Sequence, residues 1–109
     1  MVAMSLGSAL ATDRREAPRE EVFYRTRAAR PGGASLPLQI VNISASGFMA
    51  RTDEPIAVGE PFRLRLPIVG EVGATVRWSL GGRIGGQFDR MIELAPYLEL
   101  LGALVRDAR

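Results

Sequence analysis

The 109-residue chain has no cysteine and no histidine, and all 14 of its basic residues are arginine, so lysine is absent too. Without cysteine there can be no disulfide and no thiolate nucleophile. Without cysteine and histidine there can be no zinc site built on those ligands. The lack of histidine removes the commonest general base, and the lack of lysine removes Schiff-base chemistry and the phosphate-binding residue of a P-loop. The remaining acids are scattered among turns and tails (Asp53-Glu54, Glu60, Glu71, Asp89), so paired carboxylates do not stand out. The expectation is a binding protein and not an enzyme, with no catalytic residue, metal or bound cofactor. Aromatics are also few, at 6%. That leaves little for nucleobases to stack on, and no nucleic-acid partner is expected. No stretch approaches ~18 uninterrupted apolar residues, so no membrane insertion is expected. The opening "MVAMSLGSALA" has no basic residue ahead of its apolar part and reads as a frayed tail over residues 1–12, not as a leader. Together with the missing cysteine this fits a cytoplasmic protein.

What is present is enough for one core. A hydrophobic fraction of 47% and a net charge of +2 suit a single globular domain over residues 13–109. Coding bias is sufficient to produce an all-arginine complement, but that complement supplies planar forks that hold phosphate bidentately and stack on flat rings.

Hydrophobic periodicity gives the architecture. "DRREAPREE" is charged and broken by Pro18, which predicts an irregular arm over 13–21 leading into a barrel over 22–90. From Val22 the pattern alternates: Val22, Tyr24 and Thr26 point one way, Phe23, Arg25 and Arg27 the other. Pro31-Gly32-Gly33 is a turn. Leu36, Leu38 and Ile40 begin a second strand, and Phe48 to Arg51 form a third beyond Gly47. Phe62, Leu64, Leu66 and Ile68 make one further apolar row, and Val72, Ala74, Val76, Trp78 and Leu80 another. Matching those two rows in parity requires an odd-length connection near Gly70 and sets Arg77 opposite Arg63 or Arg65. The same reasoning predicts a three-residue turn Gly81-Gly82-Arg83, with Trp78 across from Gly86 and both Trp78 and Phe88 in the core. From Glu93 the period changes to that of a helix, predicted over 93–107. Its apolar face carries Leu94, Tyr97, Leu98, Leu101, Leu104 and Val105, and it should cap the barrel or meet a partner helix. The fold class is mainly β, a small antiparallel six-stranded barrel with a C-terminal α-helix.

Two motifs then combine. "RREAPR" contains Arg15-x-x-x-Arg19 just ahead of the first strand, and "NISASG" contains Asn42-x-Ser44-x-x-Gly47 at the end of the second. In this order and separation, with a late "GGQF" strand, the chain resembles the PilZ domain family. The resemblance implies a barrel-plus-helix receptor for the bacterial second messenger cyclic di-GMP, bound by the arm and the turn. By that resemblance Arg15 and Arg19 clamp the ligand, with Arg14 accessory. Asn42 and Ser44 hydrogen-bond guanine and phosphate, and Gly47 lets the backbone bend and approach closely. Guanidinium forks match both phosphates and guanine O6/N7 edges. An arm ordered by ligand would present a new surface to an effector protein. Two other classes stand beside this one. One is a PilZ-like adaptor that contacts proteins without nucleotide. The other is a single-strand-binding barrel using Arg63, Arg65 and Arg77.

Overall fold

A computed structural model describes residues 19–107. Six strands, β1 (Glu20–Ala29), β2 (Ser35–Ile43), β3 (Gly47–Arg51), β4 (Pro61–Leu66), β5 (Gly70–Leu80) and β6 (Arg83–Phe88), precede one helix, α1 (Leu94–Asp107). They close into an antiparallel barrel in the order β1-β2-β3-β6-β5-β4, with Ala28 of β1 paired to Leu64 of β4 at the seam. Closure leaves no sheet edge to pair with another chain. The first strand starts at Glu20, two residues before the alternation becomes apolar. Among the described residues no helix is long and apolar enough to cross a membrane.

The inward rows fill the interior: Leu36, Leu38 and Ile40 from β2, Phe62, Leu64 and Leu66 from β4, and Ala74 and Val76 from β5. Phe48 lies at the centre, 5.5 Å from Phe88 and 6.0 Å from Phe62 between ring centroids. A Cβ on Gly86 would collide with the Phe48 ring, so this glycine is where the barrel makes room for its largest buried side chain.

Register corrects two expectations about β4 and β5. The β4–β5 connection is odd, but it is only Pro67-Ile68-Val69, and Leu66 pairs with Gly70. Arg63 therefore faces Gly73 and Arg65 faces Glu71, not Arg77. A tight turn brings a carboxylate where a longer one would have set like charges, and Glu71 takes both arginines (3.2 Å to Arg63 Nε, 3.8 Å to Arg65 Nη2). Ile68 belongs to the turn and not to the apolar row. Its φ is 68°, and the Val69 N–H donates to the Pro67 carbonyl at 2.7 Å, a γ-turn strained for a β-branched residue.

The β5–β6 hairpin also differs. Its turn is the two-residue Gly81-Gly82, both at positive φ, with Leu80 opposite Arg83. Such primed turns match the twist of antiparallel strands better than a three-residue loop. A bulge between Val76 and Trp78 absorbs the parity change, so Trp78 pairs with Gly85 instead of Gly86 and turns outward. Trp78 is 41% exposed and Leu80 is exposed as well, whereas Phe88 is buried as expected.

The helix buries Tyr97, Leu100, Ala103 and Leu104 and packs against β1. Leu94, Leu98 and Val105, expected on the same face, are exposed. The apolar stripe is wider than the barrel end it covers.

Candidate functional site

The β2–β3 turn is built from its own side chains. Ser44 is buried, and its hydroxyl oxygen accepts from the N–H groups of Ser46 and Gly47, each at 3.2 Å. Its backbone N–H donates to the Gly47 carbonyl at 2.8 Å. A serine in this geometry satisfies donors that would otherwise be orphaned as the chain leaves β2. The turn is pinned from outside as well. The Phe88 N–H donates to the Ser46 carbonyl at 2.9 Å, and the Ile92 N–H donates to the Ala45 carbonyl at 2.9 Å. Gly47 is required for approach and not for a left-handed bend, since it is absent from the positive-φ residues. A Cβ there would strike the backbone carbonyl oxygen of Gly86 on β6.

Asn42 sits two residues before Ser44, half-buried on the outer side of the turn. Arg19, at the point where the arm meets β1, reaches it: Arg19 Nη1 donates to Asn42 Oδ1 at 2.9 Å, across 23 residues of sequence. The fold thus brings one member of the arginine motif into contact with one member of the turn motif. Arg14 and Arg15 lie outside the described residues. Ser44 points inward and Gly47 is covered, so among the described motif residues Arg19 and Asn42 are the ones whose polar atoms face solvent.

Sequence reasoning missed part of the surroundings. A surface depression of about 370 Å³ runs from Arg19 past Gly47 to Arg77, Trp78, Gly85, Gln87 and Met91. Its floor is Gly85, and the Trp78 indole lies against it: a Cβ on Gly85 would overlap Nε1 and Cδ1 of the ring. One face of the indole is therefore backed by glycine while the side chain stays substantially exposed, beside two guanidinium groups. This arrangement can stack a planar ring and pair anions around it. The signal for it was the bulge that turns Trp78 outward, and no alternation rule reveals a bulge.

The helix and the segment leading into it are tied to the turn region by two bonds. Besides Ile92 N–H to the Ala45 carbonyl, the buried Tyr97 hydroxyl donates to the Ile43 carbonyl at 3.3 Å. Burial, with a lesser contribution from Glu20, raises the Tyr97 pKa, which keeps the phenol in its donating form. Among the described residues no group of acidic side chains is arranged to hold a metal ion.

The family model described as PilZ domain matches residues 13–107, which takes in the arm, the barrel and the helix. No curated protein matches the chain.

Proposed function

The chain belongs to the PilZ domain family, a family of cyclic di-GMP receptors, and from that membership we propose that it is a cytoplasmic cyclic di-GMP receptor signalling through an effector protein. The observation that carries this reading is the Arg19–Asn42 hydrogen bond, because it brings a member of the arginine motif and a member of the turn motif together on the barrel surface. Arg15 and Arg19 clamp the phosphates and guanine edges, with Arg14 as accessory. Asn42 exchanges its bond to Arg19 for one to guanine. Ser44 contributes by holding the turn in shape, since its hydroxyl already accepts two backbone N–H bonds, and Gly47 by letting β3 and β6 approach. Trp78 supplies the stacking face for one guanine, and Arg77 stands next to it.

Ordering the arm costs about 1–2 kcal/mol per residue in backbone entropy, so several charge-assisted contacts are required to offset it. The result of binding reaches α1 through the Ala45–Ile92 and Ile43–Tyr97 bonds. Exposed Leu94 and Leu98, at the start of that helix, are then part of the surface an effector would meet.

Calorimetry of the full chain with cyclic di-GMP, and with GTP for comparison, tests this. Losing a hydrogen bond to a charged group costs about 1.5–3 kcal/mol, so Arg15→Ala and Arg19→Ala should each weaken binding roughly 10- to 100-fold, and Asn42→Ala, which loses a neutral bond worth about 0.5–1.5 kcal/mol, roughly 2- to 10-fold. Trp78 is the sole tryptophan, so its fluorescence should change on saturation. Wild-type affinity in both arginine variants would refute the site, and a silent tryptophan would refute the stacking role.

A further inference from the structure

The outer wall of the barrel carries a second constellation, at the far end of β3 from the Gly47 turn. Register sets Arg25 of β1 opposite Gln39 of β2, Gln39 opposite Arg51 of β3, and Arg51 opposite Arg83 of β6. The three arginines are exposed, and Gln39 between them is half-buried. Adjacent strands stand about 4.8 Å apart, so the row runs roughly 14 Å across four strands. No short sequence motif contains it, because its members are far apart in the chain.

Among the described residues its arginines have no ion-pair partner. Arg51 and Arg83 form a direct cross-strand pair of like charge, which disfavours the folded state. Among the described residues, ion pairs join Arg30 to Glu60 and both Arg63 and Arg65 to Glu71. None involves Arg25, Arg51 or Arg83. These arginines instead line an open groove of about 680 Å³, together with Phe23, Pro37 and Asp53. The Arg25 guanidinium lies 5.8 Å from the Phe23 ring centroid, which steadies that end of the row.

We propose that this groove docks an extended acidic segment of a partner protein. Arg51 and Arg83, one strand apart, converge on one carboxylate. Arg25, two strands from Arg51 and roughly 10 Å away, meets a second. Carboxylates three residues apart on a polyproline II chain, which repeats every three residues at ~3.1 Å each, lie on one side with about that separation. Gln39, between the two positions, offers both an amide donor and an acceptor to the peptide backbone crossing it. Asp53 disfavours any anion, but a peptide backbone brings N–H donors for it to accept and a phosphodiester backbone brings none. The ring in the groove, Phe23, is already engaged by Arg25, so it offers a base little to stack on. The groove is separate from the nucleotide site, and docking does not depend on cyclic di-GMP.

Fluorescence anisotropy of the full chain at low salt, without nucleotide, provides the test. The probes are a labelled eight-residue serine peptide with glutamate at every third position, the same peptide with glutamine for glutamate, and an oligothymidylate of equal charge. The glutamate peptide should bind most tightly, and binding should weaken as salt is raised. Its amide-shift footprint should fall on residues 23–26, 37–39, 51–53 and 81–83. The Arg51→Gln/Arg83→Gln double variant should lose about tenfold or more, the size expected for removing charged hydrogen-bond donors. Arg25→Gln, a second variant on another strand, should weaken binding as well. Arg63→Gln, on an arginine already paired with Glu71, should change affinity less than twofold. Removing a like-charge pair should leave the double variant melting no lower than wild type, so lost binding is not lost folding. Undiminished binding by the double variant and Arg25→Gln overturns the proposal. So does a footprint elsewhere, or tighter binding of the oligothymidylate, which would assign the groove to nucleic acid.

Discussion

Gly47→Ala and Gly85→Ala each add one methyl to a covered glycine, yet the structure assigns them different outcomes. At Gly47 the new Cβ meets the carbonyl oxygen of Gly86, with Gln87 Cα and the Gly86 carbonyl carbon at 3.4 Å behind it. All of these atoms are backbone, so relief requires β3 and β6 to part by on the order of 1 Å to recover ordinary contact. That movement strains the Phe88 N–H bond to Ser46 and the Gly47 bonds to Ser44. Overpacking costs about 1–3 kcal/mol and each weakened bond up to about 1 more, giving a loss of roughly 3–4 kcal/mol. At about 4–8 °C per kcal/mol for a domain of this size, Tm should fall by roughly 12–30 °C. At Gly85 the clash is with the Trp78 ring, a partly exposed side chain that can swing away. The cost there should stay below about 1 kcal/mol, at the low end for a small-to-large change, because the neighbour yields. Thermal and urea unfolding followed by circular dichroism measure both, with tryptophan emission as a second readout. Gly85→Ala should shift Trp78 emission to the red and weaken cyclic di-GMP binding while the fold stays intact. If Gly47→Ala unfolds within 0.5 kcal/mol of wild type, the close β3–β6 approach is not what requires that glycine.

The other predictions concern single groups. Ser44→Ala leaves the Ser46 and Gly47 N–H groups without their side-chain acceptor, and should cost about 1–3 kcal/mol in urea unfolding. Ile68→Gly removes the Cβ from a positive-φ γ-turn that costs a branched residue on the order of 1–3 kcal/mol, and should raise stability by roughly 1 kcal/mol after glycine's own entropy cost, because the side chain is exposed. The Arg30 guanidinium holds Glu60 through two bonds, at 2.7 and 2.9 Å, and lowers its pKa below the usual glutamate range. A lowered folded-state pKa means this contribution is complete above the ordinary glutamate value and disappears as pH falls through the lower one. Glu60→Gln should therefore flatten that acid limb in a Tm-against-pH series. On α1, Leu100→Ala should cost about 2–5 kcal/mol by cavity formation, whereas Leu98→Gln, on the exposed side, should stay within about 0.5 kcal/mol.

Alternation in "LPLQI" and "FRLRL" and the helical spacing after Glu93 determined by themselves that the chain is mainly β with one closing helix. Burial demands those periods, and each can be read within a few residues. The absence of histidine, cysteine and lysine likewise limited the chemistry without any coordinates, and the spacing within "RREAPR" and "NISASG" pointed to the family. Tertiary structure alone decided what faces what. A three-residue γ-turn, and not a longer loop, gave Arg63 and Arg65 a carboxylate in Glu71. A two-residue glycine turn with one bulge sent Trp78 outward onto Gly85. The width of the barrel end, not the helical period, chose which leucines of α1 are buried. The row Arg25–Gln39–Arg51–Arg83 exists only because four strands of different origin align in register. Strand pairing depends on turn lengths and bulges, which differ by single residues and small energies. A pattern of period two is the same before and after a shift by two residues, so the sequence carries the faces of each strand but not its partners.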